Sequence, residues 1–157
     1  MNQYVISLNC RIDAQTSEEA KTKALERIEV REAAPVVTMP IHVYERLKAY
    51  RNRQKEHFIV LMLSTQNEIV RQEVVSVGTL NSSLVHPREV FRSAILAGCS
   101  HVILSHNHPS GFTEASQEDI TVTNRLVKAG KLLGIELVDH VVIGREGYYS
   151  FKEHNLL

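Results

Sequence analysis

The sequence has few cysteines and no net charge, and both absences argue against certain classes of protein. Cys10 and Cys99 are its two cysteines, and they lie far apart without a Cys-x-x-Cys pair. Neither a disulfide framework nor a thiolate zinc site is indicated, and we expect both side chains to be small buried hydrophobic groups. The chain has 18 Lys and Arg residues against 18 Asp and Glu residues. It therefore has no global electrostatic field that would attract a polyanion.

Long apolar runs and repeated segments are absent as well. No run approaches the roughly 20 apolar residues that a membrane-spanning helix requires. The N-terminal residues lack the basic and apolar regions of a signal peptide. We therefore expect a cytoplasmic protein that does not contact membranes. A length of 157 residues, without internal repeats or low-complexity segments, fits one compact domain.

Two histidines at the end of an apolar run are the most informative feature that is present. His106 and His108 are two residues apart, so in an extended strand both side chains point to the same side. The turn residues 109–111 follow, and a helix that begins near Ser116 would bring Asp119 back toward both imidazoles. Two nitrogen ligands and one carboxylate oxygen would leave a fourth tetrahedral position for water. That arrangement is typical of a catalytic zinc site, whereas structural zinc sites are closed.

The same residues have simpler interpretations when they are taken one at a time. Ser116 and Asp119 fit a capping box, in which a hydroxyl and a carboxylate bind free backbone amides at the start of a helix. A single histidine at a strand end is often a hydrogen-bonded structural residue. Packing rarely needs two histidines that face one way, a tight turn and a returning carboxylate together. The combination therefore favours a metal site.

The spacing of these residues also resembles a known signature. The chain contains the pattern His-x-His-x7-Ser-x2-Asp, formed by His106, His108, Ser116 and Asp119. This pattern is similar at every position to the JAMM (MPN-domain) metalloprotease signature. Further stretches resemble the bacterial RadC family within that class: residues 85–90, 105–111, 139–144 and 150–154. The resemblance covers about residue 40 to the C-terminus.

The resemblance divides the chain into two parts. Residues 39–157 are expected to form a RadC-like JAMM/MPN metallohydrolase domain, and residues 1–38 a strand-helix appendage that resembles no family. The helix-hairpin-helix module that many RadC-like proteins carry upstream is not recognised in this appendage. The implied fold class is α/β (α+β), with a mixed, mainly antiparallel β-sheet flanked by helices around a JAMM/MPN (cytidine-deaminase-like) core.

Hydrophobic periodicity and turn residues predict individual elements that agree with this class. One helix is expected to begin at Pro87 and to stop at Gly98, with an apolar stripe of Val90, Phe91, Ala94 and Ile95. Three other helices are predicted. The first begins at Ser17 and ends before Ala33, the second begins at Pro40, and the third covers residues 117–133. The predicted strands are 4–8, 58–63, 69–77, 102–105, 136–143 and 148–151.

The resemblance also implies a chemistry and a set of site residues. It implies a zinc-dependent hydrolase that cleaves a peptide or isopeptide bond, with a protein or peptide as substrate. Its zinc ligands would be His106, His108 and Asp119, and Ser116 would stabilise the developing oxyanion. A water activated by Zn²⁺ still needs a general base. In the JAMM pattern the base is a Glu before a strand upstream of the histidines, and Glu56 stands in that place.

Several neighbouring residues leave alternatives open. Glu56 also fits a solvated carboxylate at a strand end, and Glu73, inside the next apolar strand, is a second candidate base. Asp139 and His140 fit either a second shell that orients metal ligands or polar groups that satisfy the end of the sheet. His86 has the same two interpretations, with helix capping as its structural role.

Other functions need residues that this sequence lacks or supplies only in part. A zinc deaminase would need His-x-Glu and Pro-Cys-x-x-Cys, and the chain has neither. A two-metal nuclease would need several carboxylates, and only Asp119 is offered. The alternative from another class is a RadC-like module that is associated with nucleic acid, linked to DNA repair or recombination, and without protease activity. Its support is the basic run at 46–55, which also fits a solvated helix face. The segments 80–85 and 112–114 are candidates for substrate specificity, and the sequence does not indicate an oligomeric state.

Overall fold

The computed structural model describes residues 4–7, 15–26, 29–32, 34–78 and 85–157. Contacts divide the chain into two compact units, residues 1–34 and residues 35–157. The functional division after residue 38, into an appendage and a metallohydrolase domain, stays a prediction.

The described residues of the N-terminal unit form a helix and a pair of strands. Strand β1 (Tyr4–Ser7) pairs antiparallel with β2 (Glu29–Glu32), and helix α1 (Ser17–Glu26) lies between them in the sequence. The predicted first strand and the predicted helix start are confirmed. The prediction that this helix continues to Ala33 is wrong, because residues 29–32 pair their backbone with β1 instead. Val30, a β-branched residue that favours strands, lies opposite Ile6 in this pair.

The C-terminal unit contains the remaining elements, which follow the predicted order. Its helices are α2 (Pro40–Leu47), α3 (Pro87–Leu96) and α4 (Gln117–Leu133), and a short 3-10 turn at Lys48–Tyr50 follows α2. Its strands are β3 (Glu56–Leu63), β4 (Ile69–Gly78), β5 (His101–Asn107), β6 (Glu136–Ile143) and β7 (Tyr148–Ser150). The predicted strands and helices of this unit are confirmed, with differences only at their ends.

The strands of this unit form a mixed five-stranded sheet in the order β4-β3-β5-β6-β7. Neighbouring strands are antiparallel except β5 and β6, which are parallel. Parallel neighbours need a crossover connection, and α4 supplies it. The predicted fold class, a mixed and mainly antiparallel α/β sheet flanked by helices, is confirmed.

Helices cover both faces of the sheet. Alternate residues of β3 and β5 point to opposite faces, as the pleat of a strand requires. On one face, strand residues pack with α3 and α4 in a cluster that includes Phe58, Val60, Val90, Phe91, Leu104 and Leu126. On the other face they pack with α2 in a cluster that includes Val43, Leu47, Ile59, Leu61, Ile103 and Val141. His106 lies two residues beyond Leu104 on β5, so its ring is on the α3 and α4 face.

Local signals fix the ends of α3, but its inner face differs from the prediction. Pro87 begins the helix, and Gly98 has a φ of 62°, which glycine adopts without steric cost. Val90, Phe91 and Ala94 are buried as predicted. The prediction for Ile95 is wrong: this side chain is 57% exposed, because it lies beside the stripe that meets α4 and the sheet.

Cysteine burial and membrane contact were also predicted. Cys99 is a free, buried thiol, as expected, and its burial raises the pKa of the thiol. Cys10 lies outside the described residues. Within the described ranges, no helix has the length and apolar character that crossing a membrane would need. The cytoplasmic location stays a prediction.

Candidate metal centre

The pairing of β3 with β5 places Glu56 beside the histidines. Phe58 lies opposite His106 in this antiparallel pair. Side chains two residues apart on one strand share a face, so Glu56 and His108 follow on that same face, one pleat further along. The pKa of His108 is raised chiefly by its hydrogen bond with Asp119, although burial opposes the shift, and the negative charge of Glu56 adds to it. The chain thus brings a carboxylate to the edge of the histidine pair.

Asp119 reaches the same point from the first turn of α4. Ser116 caps this helix: its Oγ accepts from the Asp119 amide at 3.1 Å, and Asp119 Oδ2 accepts from the Ser116 amide at 2.8 Å. The predicted capping box is therefore present. It holds the Asp119 carboxylate, only 1% exposed, against the two imidazoles. One ligand atom from each of His106, His108 and Asp119 lies within 4.8 Å of the others.

The contacts within this cluster are short. His106 Nε2 is 3.0 Å from His108 Nε2 and 3.2 Å from Asp119 Oδ1, and His108 Nε2 is 3.5 Å from Asp119 Oδ2. Burial alone would raise the pKa of Asp119, but the two histidines and the Ser116 hydroxyl outweigh it and hold the pKa far below its usual range. The carboxylate is therefore ionised at neutral pH.

A chain of hydrogen bonds fixes which nitrogen of His106 faces the cluster. The Thr123 hydroxyl is 2.6 Å from the Asp119 carbonyl oxygen, to which it can only donate. Its oxygen must then accept from His140 Nδ1, also at 2.6 Å. With its proton on Nδ1, the neutral ring of His140 accepts at Nε2 from His106 Nδ1, 2.8 Å away. The Nε2 of His106 consequently carries a lone pair toward the cluster.

Two further observations agree with this assignment. Complete burial is the main reason why the pKa of His140 lies well below its usual value, so this ring is neutral and can accept. His108 Nδ1 is 3.0 Å from the carbonyl oxygen of Phe112, to which it donates. Its Nε2 is therefore the nitrogen that faces the cluster, and in the neutral ring this atom directs a lone pair there.

The resulting arrangement requires a positive charge at its centre. With both rings neutral, two nitrogen lone pairs lie 3.0 Å apart, and among the described residues the buried Oδ1 of Asp119 has no hydrogen bond. Lone pairs and an anionic oxygen that converge in a buried site repel one another unless a proton or a metal ion lies between them. Imidazole nitrogen and carboxylate oxygen are ligands that zinc takes in catalytic sites. The residues present fit a divalent metal ion.

Asp139 and His140 divide the two roles between them. His140 is hydrogen-bonded to His106, so it can fix the orientation of that ring. Asp139 points to the other face, where it accepts hydrogen bonds from the Ser150 hydroxyl at 2.7 Å and the Lys152 amide at 3.1 Å. Asp139 thus secures the turn after β7, as the structural interpretation expected.

The remaining predicted residues lie in different surroundings. Ser116 Oγ is 2.7 Å from Asp119 Oδ2, so its proton is directed at that carboxylate, and its role toward an oxyanion stays a prediction. Glu73 lies opposite Val60 on the edge strand, two strands from the histidines, where it accepts from Ser93 Oγ and pairs with Arg71 at 2.9 Å. His86 precedes α3 without a capping hydrogen bond from its side chain.

The basic run and the candidate specificity segments are partly described. Arg46 Nε donates to Gln72 at 2.8 Å, and Lys48 forms an ion pair with Glu45. The nucleic-acid partner stays a prediction. Phe112 is 75% exposed next to the cluster, while residues 80–84 of the other candidate segment lie outside the described residues.

For three buried polar residues near the cluster, the sequence predicted no role or left two roles open. They are Asn107, Thr123 and His140, each fully buried. For His140 and Asn107 the signal was a polar residue inside an apolar strand, which does not say what it contacts. Thr123 gave no signal, because threonine in a helix is common and its partner depends on packing.

Fold and cluster together define a class of protein. A mixed sheet that presents His-x-His at the end of one strand, with an Asp at the start of the next helix, is the arrangement of a JAB (JAMM/MPN) domain. The family model for the RadC-like JAB domain matches residues 37–156, and the chain belongs to this family.

Curated relatives extend this finding over most of the chain. A UPF0758 protein of Rubrobacter xylanophilus is 52% identical over 124 residues, which cover 78% of this chain and 54% of the relative. A UPF0758 protein of Methanosarcina mazei is 47% identical over 129 residues, 82% of this chain and 56% of the relative. A UPF0758 protein of Clostridioides difficile is 50% identical over 111 residues, which cover 71% of this chain and 47% of the relative. The chain spans about half the length of these relatives.

Proposed function

We propose that this chain is a zinc-dependent hydrolase that cleaves a peptide or isopeptide bond. One observation carries the proposal: His106 Nε2, His108 Nε2 and Asp119 Oδ1 converge in a buried cluster that needs a central positive charge. Three protein ligands of this kind leave a coordination position open for substrate or water, which suits catalysis better than a structural role. Zinc bound there would polarise a substrate carbonyl and activate a water molecule.

Glu56 serves as the general base in this proposal. It lies on the same face as the histidines and next to His108, and it is not one of the three clustered ligands. Its carboxylate takes a proton from the attacking water and transfers it to the leaving amine nitrogen, so one residue acts as base and then as acid. Glu73 is less suited to this role, because Ser93 and Arg71 hold it two strands away.

Ser116 supplies the oxyanion contact in this proposal. Its amide donates to Asp119 Oδ2 independently of the side chain, so that oxygen keeps a donor if the hydroxyl rotates toward a substrate. Rotation about the Cβ–Oγ bond redirects the proton without moving the helix. Phe112, whose backbone carbonyl contacts His108, is exposed, and in this proposal its ring contacts the substrate.

The test compares site variants with matched variants at the far end of the same strands. Purified protein is analysed for zinc by elemental analysis and for hydrolysis of a pooled library of quenched fluorescent peptides and isopeptide-linked peptides. His106→Ala should lose both zinc and activity, whereas His101→Ala at the other end of β5 should keep both. Glu56→Gln should keep zinc and lose about 100-fold or more in rate, while Glu136→Gln at the start of β6 should behave as wild type.

Two results would contradict this function. One is protein without stoichiometric zinc after loading and dialysis. The other is hydrolysis that persists unchanged in both His106→Ala and Glu56→Gln.

A further inference from the structure

Asn107 lies between the two histidines, and its side chain points away from them. Because successive residues of a strand face opposite sides, its amide is on the opposite face of β5 from the imidazoles of His106 and His108. The side chain is fully buried, with an exposure of 0%. A buried primary amide is costly unless its oxygen and its nitrogen both find partners.

The partners of this amide are backbone groups on both sides of Glu56. Asn107 Oδ1 accepts from the His57 amide at 2.8 Å. Its Nδ2 donates to the Lys55 carbonyl at 3.1 Å and, more weakly, toward the Arg53 carbonyl at 3.5 Å. The identities of the donor and the acceptors fix which side-chain atom is oxygen and which is nitrogen. Glu56 is the residue enclosed between these bonds.

These bonds extend the contact between β3 and β5 beyond their ladder. The ladder between β3 and β5 begins at the Phe58–His106 pair, and the Asn107 amide contacts the backbone of His57 and Lys55, just before that pair. On its other side, Glu56 pairs with Gly78, the last residue of the edge strand β4. The amide of Asn107 thus ties the backbone on both sides of Glu56 to the end of β5.

We propose that Asn107 is a positioning residue that holds Glu56 at the metal centre through the backbone of residues 55 and 57. This inference rests on the proposed function of Glu56 as general base. The amide suits this role because it offers a donor and an acceptor in one plane. Aspartate would lack the donor.

The experiment is a double-mutant cycle of Asn107→Ala and Glu56→Gln in the zinc-loaded protein. Displacing a catalytic group by about 1 Å can lower a rate about 100-fold. We therefore expect Asn107→Ala to lower kcat about 10- to 100-fold with KM and zinc content unchanged. In the Glu56→Gln background, the same substitution should have no further effect on kcat. The probe is the peptide that the wild-type protein cleaves fastest in the pooled library.

Two measurements that need no substrate accompany the cycle. Hydrogen exchange of the His57 amide should accelerate in Asn107→Ala, while amides in the middle of β3 keep their protection. In the cobalt-substituted protein, Asn107→Ala should shift the pH midpoint of the visible spectrum in the same sense as Glu56→Gln, with no additional shift in the double variant. These readouts stand even if no library peptide is cleaved.

Ser150→Ala is the control for loss of a buried polar group away from Glu56. Ser150 is also fully buried, and its hydroxyl donates to Asp139 and accepts from the Glu153 amide. It should lower stability as Asn107→Ala does and leave kcat and the cobalt spectrum unchanged. If Asn107→Ala does not fold, Asn107→Ser, which leaves a smaller cavity, takes its place.

The outcomes separate this inference from the proposed function. Equal effects of Asn107→Ala in the wild-type and Glu56→Gln backgrounds would overturn the positioning role, as would loss of zinc together with kcat. A Glu56→Gln variant that keeps full activity would instead overturn the assignment of the base.

Discussion

Replacing Thr123 with valine tests whether hydrogen-bond direction determines metal affinity. Valine keeps the branched shape and nearly the volume of threonine, so packing in the buried interior of α4 is preserved. The substitution removes the only acceptor that the described residues give to His140 Nδ1. His140 can then satisfy its nitrogens better by carrying its proton on Nε2.

That proton shift propagates to the metal site. With a proton on His140 Nε2, His106 must accept at Nδ1, 2.8 Å away, and must carry its own proton on Nε2. A protonated Nε2 cannot bind a metal ion. Metal binding in Thr123→Val therefore requires His140 to return its proton to Nδ1, where it is buried without an acceptor.

The magnitude follows from this buried donor. Leaving one buried donor unsatisfied costs about 1–3 kcal/mol. The metal-free protein avoids this cost by the proton shift. The cost of the unsatisfied donor therefore falls entirely on the metal-bound protein. At about 1.4 kcal/mol for each factor of ten, zinc should bind Thr123→Val about 5- to 150-fold more weakly than wild type.

Zinc affinity is measured by competition with a chromophoric chelator. Thr123→Ser keeps the hydroxyl and should bind zinc nearly as wild type does. Thr121→Val is the matched control, because Thr121 makes the same type of bond to the carbonyl four residues earlier, at 2.8 Å, on the exposed side of the same helix. Equal zinc affinity in Thr123→Val and wild type, or a loss in Thr121→Val as large as in Thr123→Val, would refute the reasoning.

Two further predictions concern stability. Ser116→Ala removes the hydroxyl that caps α4 and should lower the free energy of unfolding of the metal-free protein by about 1 kcal/mol, measured by urea denaturation. Ser116→Thr should restore most of it, and an unchanged urea midpoint in Ser116→Ala would contradict the capping role. Alanine in place of Gly130 would put its Cβ 2.4 Å from the Ile135 carbonyl oxygen and 3.2 Å from Phe91 Cζ. Although alanine usually favours a helix by about 1 kcal/mol, we expect a net loss of about 1–3 kcal/mol. Gly147→Ala, with no atom within 4 Å, is the neutral control, and a Gly130→Ala variant as stable as wild type would contradict this prediction.

Local signals explain why much of the fold could be predicted. Helix α4 has the predicted bounds because its start and its end depend on neighbouring residues: Ser116 caps the first turn, and Gly134 adopts a φ of 68°. Predictions were wrong where tertiary contacts decide. Residues 29–32 form a strand because β1 is available to pair with them, and Ile95 is exposed because of what packs around α3.

The sequence by itself determined the cluster that could hold a metal ion. His106, His108 and Asp119 lie on a strand, a turn and the first turn of a helix that follow one another, so their spacing suffices to bring them together. The groups that lie around this cluster come from distant parts of the chain. Glu56 and Asn107 meet through the pairing of β3 with β5, and His140 reaches His106 across β5 and β6.

Only the tertiary structure could decide those contacts, for a physical reason. A shift of one residue in the pairing of two strands moves every side chain of one strand to the opposite face. Such a shift would carry Glu56 away from the histidines and His140 away from His106 without changing any local pattern in the sequence. The register that prevents it is fixed by the packing of two cores, one on each face of the sheet.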